Sequence, residues 1–247
     1  GAVATFFDGS NFVINKANMT AGLQPVISHW ANASCGLDAL LDVWNLIFAI
    51  AVFFLARVLG NLYIRNNIAD DIIRERCRRR LLPDVIIFLL FFLTFLVRTL
   101  IKDGFAVSPD SDIIFMEPMK YLHNLFDMWP LFILFLGGVV FLLYGVIRTI
   151  LKKDYIKGIW PAGIGVILVV LVLFLIAGWD NTAFYPSNVN LQDSLTIKNS
   201  CSSEVTLKAM TYVSFLIPVI LAYGSYAWYS IDKKKIDKKE IKEEDAY

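Results

Sequence analysis

Side chains that could do chemistry are few in this chain, and histidine is the scarcest. His29 and His123 are the only two imidazoles among 247 residues, and both fall outside the long apolar stretches. A haem held inside a membrane takes axial His or Met ligands that face one another across a bundle, so a bis-histidine haem has no place here. One His joined by Met116, Met119 or Met128 is the alternative; against it stands the commoner use of methionine as packing. Phosphate-cradling glycine loops, H-E-x-x-H and G-x-S-x-G are all absent. Cys35, Cys77 and Cys201 form no C-x-x-C, which leaves neither a thioredoxin-type site nor a structural zinc site. Catalysis by residues of this chain is not expected, and no catalytic, metal-binding or cofactor-binding residue is assigned.

What remains are polar groups inside or beside apolar runs, which are costly and for that reason functional candidates. Arg57 interrupts one such run. Two readings stay open for it: snorkelling to the headgroups, or a role in the bundle interior. Asn61, at i+4, shares its face. Arg98 lies near the end of the next run and reads as a snorkelling or loop-pairing residue. Asp180, followed by Asn181 and Thr182, closes a further run, where capping and turn formation are the default. Gly137-Gly138 and the Gly158, Gly163, Gly165 set read as close helix packing. The segment from Asp103 to Asn124 gathers acidic, basic, imidazole and aromatic groups and is unusually specific for a loop. It could serve a quinone headgroup or a partner subunit, or be a surface loop with internal ion pairs.

The elements that must position these residues follow from composition. Hydrophobic residues make up 57% of the chain and charged residues 18%, with a mean hydropathy of +0.60. Soluble domains run near 45–50% apolar and about 25% charged. A disordered chain, a nucleic-acid-binding domain and a small disulfide scaffold are excluded. Crossing a hydrocarbon core of roughly 30 Å takes about 20 apolar helical residues, and five segments qualify: about 43–64, 85–101, 128–147, 158–179 and 211–231, the last two read as uninterrupted. In lipid each must satisfy its own backbone. The fold class expected is all-α, a polytopic transmembrane helix bundle forming a single domain over 1–247. Sixteen of the 23 cations fall in the loop after the first span, the loop after the third and the charged tail 232–247; six fall in the opposite loops, and Arg57 is the last. By the positive-inside rule the arginine loop and the C-terminus are cytoplasmic, with membrane lipid around the spans. Cys77 is then on the reducing side, while Cys35 and Cys201 share an outer side where pairing is open. Gly1–Phe7 reads as the outer end of a truncated helix, and the sequence as the C-terminal portion of a longer protein.

At the level of motifs the chain resembles subunit II of the bd-type quinol oxidases. The resemblance rests on Asp103-Gly-Phe-Ala-Val, Met116-Glu-Pro-Met-Lys-Tyr-Leu-His-Asn-Leu125 and Trp160-Pro-Ala-Gly-Ile-Gly165. It continues through Asp180-Asn-Thr-Ala-Phe-Tyr-Pro-Ser187, Ser194-Leu-Thr-Ile-Lys-Asn-Ser200 and Ser203-Glu-Val-Thr-Leu-Lys-Ala-Met210. It covers essentially the whole chain in one order. It implies a haem-free subunit in the bacterial cytoplasmic (inner) membrane that pairs with a haem-containing subunit I, in a complex that oxidises quinol and reduces dioxygen to water. Subunit II would stabilise that complex and shape proton and oxygen access, and some members hold a structural quinone. The family's N-terminal helices, with their Gly-Phe-Asp motif and acidic proton-path candidates, have no counterpart here, so no proton-channel carboxylate is placed. A secondary transporter, supported by Arg57 and the glycine-rich helices, and a structural membrane assembly factor are the rival readings.

Overall fold

The computed structural model describes residues 4–15 and 27–232. The tail expected over 232–247 falls outside these from residue 233 onward, as do Gly1–Val3 of the expected truncated helix. Its remainder contributes one helical turn, α1 (Thr5–Asp8). A hairpin of β1 (Phe12–Asn15) and β2 (Ile27–Trp30) follows, pairing Phe12 with Trp30.

Two helical hairpins form the body. The first joins α2 (Val43–Asn67) to α3 (Asp71–Ile101) through a three-residue turn. Each helix is started by an aspartate whose carboxylate accepts from the orphan N–H groups of the first turn. Asp42 takes Trp44 N at 2.6 Å and Asn45 N at 3.4 Å; Asp70 takes Ile72 N at 2.8 Å and Ile73 N at 3.0 Å. The second hairpin joins α5 (Trp129–Leu151) to α6 (Ile159–Gly178). Small residues set its spacing: a Cβ on Gly145 would stand 2.6 Å from Gly158 O and 2.8 Å from Ala162 N. The glycines expected to serve close packing divide here, since Gly137 and Gly163 face open space.

The core has two tiers. Phe7, Phe95, Tyr121, Leu125, Val172 and Ile176 pack at the β-hairpin end; Val58, Leu62, Leu81, Phe88, Val146 and Ala162 pack toward the arginine end. Between them the four long helices line an apolar pocket of about 220 Å³, open on one side, with Phe48, Phe88, Phe92, Leu142 and Val169 in its wall. Over one end lie β3 (Gly104–Val107), β4 (Ile114–Glu117) and α4 (Lys120–Asp127). The strands pair antiparallel, Phe105 opposite Met116, and the stretch after α6 adds to them through Val107 N to Asn181 O at 2.7 Å.

Among the described residues, five helical stretches are long and apolar enough to cross a membrane, the last of them formed by two consecutive helices. At two of the expected spans the helix and the apolar stretch do not coincide. The second span lies within a helix that starts at Asp71 rather than Val85, because Glu75 bonds Arg78 and Arg79 at i+3 and i+4 and so supports helix in a strongly charged stretch. The last span is not uninterrupted: α7 (Glu204–Ser214) gives way to α8 (Ile217–Asp232). Phe215 N and Leu216 N turn back to Tyr212 O and Val213 O, and Pro218 has no N–H for the Ser214 carbonyl, against which its ring would also clash. Cys35 and Cys201 are exposed free thiols.

Candidate functional site

Two polar clusters bind the helices together where the surroundings are apolar. The first lies within the α2–α3 hairpin. Arg57 Nη2 stands 3.0 Å from Asp84 Oδ1, with side-chain exposures of 42% and 4%. Asn61 Nδ2 donates to Asp84 Oδ2 at 3.1 Å. Asp84 therefore has both oxygens engaged by two side chains one turn apart on α2. The guanidinium lies over the rings of Phe53 and Phe54, 5.9 and 5.4 Å from their centroids. Arg57 and Asn61 are thus brought together, as their spacing predicts, around an acid that sequence reasoning passed over. A signal for it existed: beyond Glu75, Asp84 is the one acid in α3, and it lies within a helical turn of the level that the hairpin sets opposite Arg57.

The second cluster sits where α3 ends. Arg98 pairs with Asp8 and lies 4.4 Å over the Trp44 ring. Lys102 Nζ reaches Asp8 Oδ1 at 2.7 Å and donates to Phe7 O at 2.6 Å. Asp8 is 6% exposed. Burial pushes the Lys102 ammonium below its usual range, and Asp8 draws it part of the way back. Beside it the Tyr121 hydroxyl donates to Phe7 O at 3.4 Å; burial first, and then the Asp8 charge, push that hydroxyl well above its usual range. Of the two earlier readings for Arg98, pairing is what the structure shows, and the pair pins α1 to α3.

Asp180 stands apart from both clusters. It and Asn181 have φ of 54° and 51°, the left-handed conformation that Asp and Asn tolerate best, and Asp180 O accepts from Thr182 Oγ1 at 3.1 Å. In the segment from Asp103 to Asn124, Glu117 meets His123 Nδ1 at 3.0 Å and Lys120 Nζ at 3.5 Å. Burial alone would raise the Glu117 carboxyl; His123 and Lys120 outweigh it and hold it below its usual range. Asn124 is buried and donates to Ile176 O at 2.9 Å and Thr182 Oγ1 at 2.7 Å, tying α4 to the end of α6.

Arg65 is a further residue whose role sequence reasoning missed. Counted as one more cation of the arginine loop, it is 1% exposed. Its guanidinium donates to Arg74 O at 3.0 Å, to Tyr155 O at 3.3 Å and to Lys153 O, so it staples the α5–α6 loop to the α2–α3 hairpin. No group of three His, Cys, Asp or Glu among the described residues is placed to hold a metal ion. His29 is on β2 and His123 on α4, both outside the candidate spans.

These clusters hold helices and loops in place, and a family comparison gives them a context: the profile described as cytochrome bd terminal oxidase subunit II matches residues 1–231. The chain belongs to this family. No match is found among curated proteins. As a bd oxidase subunit II it is a multi-pass membrane protein and part of a terminal oxidase complex, with a subunit I as partner.

Proposed function

We propose that this chain is the haem-free subunit of a bd-type terminal oxidase, in which a haem-bearing subunit I oxidises quinol and reduces dioxygen to water. It works as a helical scaffold for that subunit and shapes the proton and oxygen access to it. The observation that carries the reading is the family match over residues 1–231. Two further features support it: both histidines lie outside the candidate spans, and the polar side chains within the bundle are spent on holding helices together. The complex would sit in the bacterial cytoplasmic membrane with the C-terminus of this chain on the cytoplasmic side, where the positive-inside rule puts the arginine end. A structural quinone, which the resemblance allows, would find a fit for its isoprenoid tail in the apolar cavity beside Phe48 and Phe92, though that cavity offers no polar group to its headgroup.

The test is purification of the complex through this chain, followed by an absorption spectrum and a quinol-dependent oxygen-uptake assay. A co-purifying haem-bearing polypeptide with oxygen uptake is expected. A preparation without haem, or substrate flux across proteoliposomes carrying this chain alone, would overturn the reading and favour a transporter.

A further inference from the structure

We infer that the loop between α5 and α6 binds the headgroup of an anionic phospholipid, held by Lys152, Lys153 and Lys157. The site requires only that the chain spans a membrane, whichever partner it has.

Positive charge is in surplus at this end of the bundle. Residues 65–80 and 148–157 carry ten cations and four acids, and the two stretches meet, with Arg78 Nη1 donating to Ile150 O at 2.8 Å. The acids of the first stretch are engaged. Asp70 caps α3, Asp71 faces Arg74 at 3.8 Å, and Glu75 pairs with Arg78 and Arg79. Arg148 is engaged too, its guanidinium lying over the rings of Tyr144 and Tyr155, 5.3 and 4.6 Å from their centroids. Lys152, Lys153 and Lys157 are exposed. Among the described residues none of the three makes an ion pair, not even with Asp154 beside them.

Depth identifies what these ammonium groups meet. The candidate span on α5 ends at Leu151 and the one on α6 starts at Ile159, so each lysine is within two residues of a span end. Headgroups occupy a layer of roughly 5–7 Å on either side of the hydrocarbon core, and that is where the loop lies. Its apolar neighbours agree: Leu151 is 76% exposed and Trp160 65% exposed, the latter an interfacial anchor by type and place. A soluble acidic partner on the loop would leave both bare. A phospholipid covers them, with its phosphate among the lysines and its chains on the apolar side chains below.

The frame is already ordered. Arg65 donates to Lys153 O and Tyr155 O from one side of the loop and to Arg74 O on α3. The backbone under the lysines is therefore fixed before a lipid arrives, which lowers the cost of binding. Charge chooses the class of lipid. A zwitterionic headgroup brings its own cation to the site, whereas phosphatidylglycerol leaves its phosphate charge for the protein to neutralise.

The test is native mass spectrometry of the complex purified through this chain, titrated in detergent with phosphatidylglycerol or phosphatidylcholine. Lipid is counted per copy of this chain, so the result is readable whether or not a haem-bearing polypeptide co-purifies. Each cation beside an anionic headgroup is worth roughly fivefold in affinity, so phosphatidylglycerol is expected to bind about tenfold or more tightly than phosphatidylcholine. The triple variant Lys152→Gln, Lys153→Gln, Lys157→Gln is expected to lose most of that preference. Lys152→Arg, Lys153→Arg, Lys157→Arg should keep it, and Lys198→Gln, beyond the other end of α6, should leave it unchanged. Equal binding of the two lipids, or an unaltered preference in the glutamine variant, would overturn the site. A second measurement needs no variant to fold: rising salt should erode the preference of the unsubstituted complex, and a preference indifferent to salt would count against a charge-based site. Displacement of phosphatidylglycerol by inorganic phosphate alone would overturn the assignment to a lipid.

Discussion

Arg57 and Asp84 make the sharpest quantitative test, because their exposures differ so widely. Arg57→Leu leaves Asp84 as a carboxylate at 4% exposure with one neutral amide donor, from Asn61. Breaking a fully buried pair from one side costs about 3–5 kcal/mol. Here the lost partner is 42% exposed, and such pairs are partly screened, so a cost of roughly 2 kcal/mol is the better expectation, about thirtyfold in an equilibrium constant. Asp84→Asn should cost less, roughly 1 kcal/mol, because an amide can still accept from the guanidinium, which keeps access to its surroundings. The double variant Arg57→Leu, Asp84→Leu removes the buried charge itself and should recover most of the loss, since apolar replacement of an ion pair is often neutral. Equilibrium unfolding of the complex in lipid nanodiscs, with the single variant Asp84→Leu added to close the double-mutant cycle, measures the coupling. A coupling below about 0.5 kcal/mol, or a double variant no better than Arg57→Leu alone, would refute the claim that Asp84 is held as a paired carboxylate.

Arg65→Met keeps the bulk of a side chain that is 1% exposed but strips three backbone carbonyls of their donor; a loss of about 3 kcal/mol is expected, with faster hydrogen exchange in the loop 152–157 and no change at α1. Gly145→Ala should lower the yield of folded protein, because its Cβ would press on Gly158 O at 2.6 Å; Gly137→Ala, with nothing within 4 Å, should be neutral or stabilise by up to about 1 kcal/mol, as thermal denaturation would show. The Lys102 ammonium is held below its ordinary 10.5, so between the folded value and 10.5 the unfolded chain binds more protons and stability rises with pH. Below that window the burial penalty is present in full, and Lys102→Met should flatten the rise in a melting series run below pH 10, under the ordinary value of Tyr121.

The spans could be read from sequence because bilayer thickness imposes a length and a hydropathy that little else imitates, and each of the five falls on a long helix or, for the last, on a pair. The missed boundaries have local causes. Hydropathy cannot register Asp71–Arg80 as helix, since ion pairs along its surface rather than apolar content support it. Nor can hydropathy register the break after Ser214, where Pro218 was the visible mark. Charge counting has a similar blind spot: Arg65 scores the same as a solvated arginine although it is among the most buried side chains in the protein. The deeper lesson concerns the two acids. Sequence reasoning singled out Arg57 and Arg98 as charges in the wrong surroundings, yet named the partner of neither. A charge that stays ionised in an apolar setting requires a counter-charge, so each arginine was already a prediction of an acid within reach. For Arg57 the hairpin supplies the address to within a helical turn, because two antiparallel helices bring residues at similar distances from their turn to one level, and Asp84 is the acid nearest that level. For Arg98 no such symmetry operates: Asp8 is 90 residues away, and what carries it to α3 is the seating of Phe7 between Phe95 and Tyr121. Local geometry can be inverted from sequence; a contact made by docking a distant turn into an aromatic pocket cannot. That is why one cluster was half visible in the chain and the other was not.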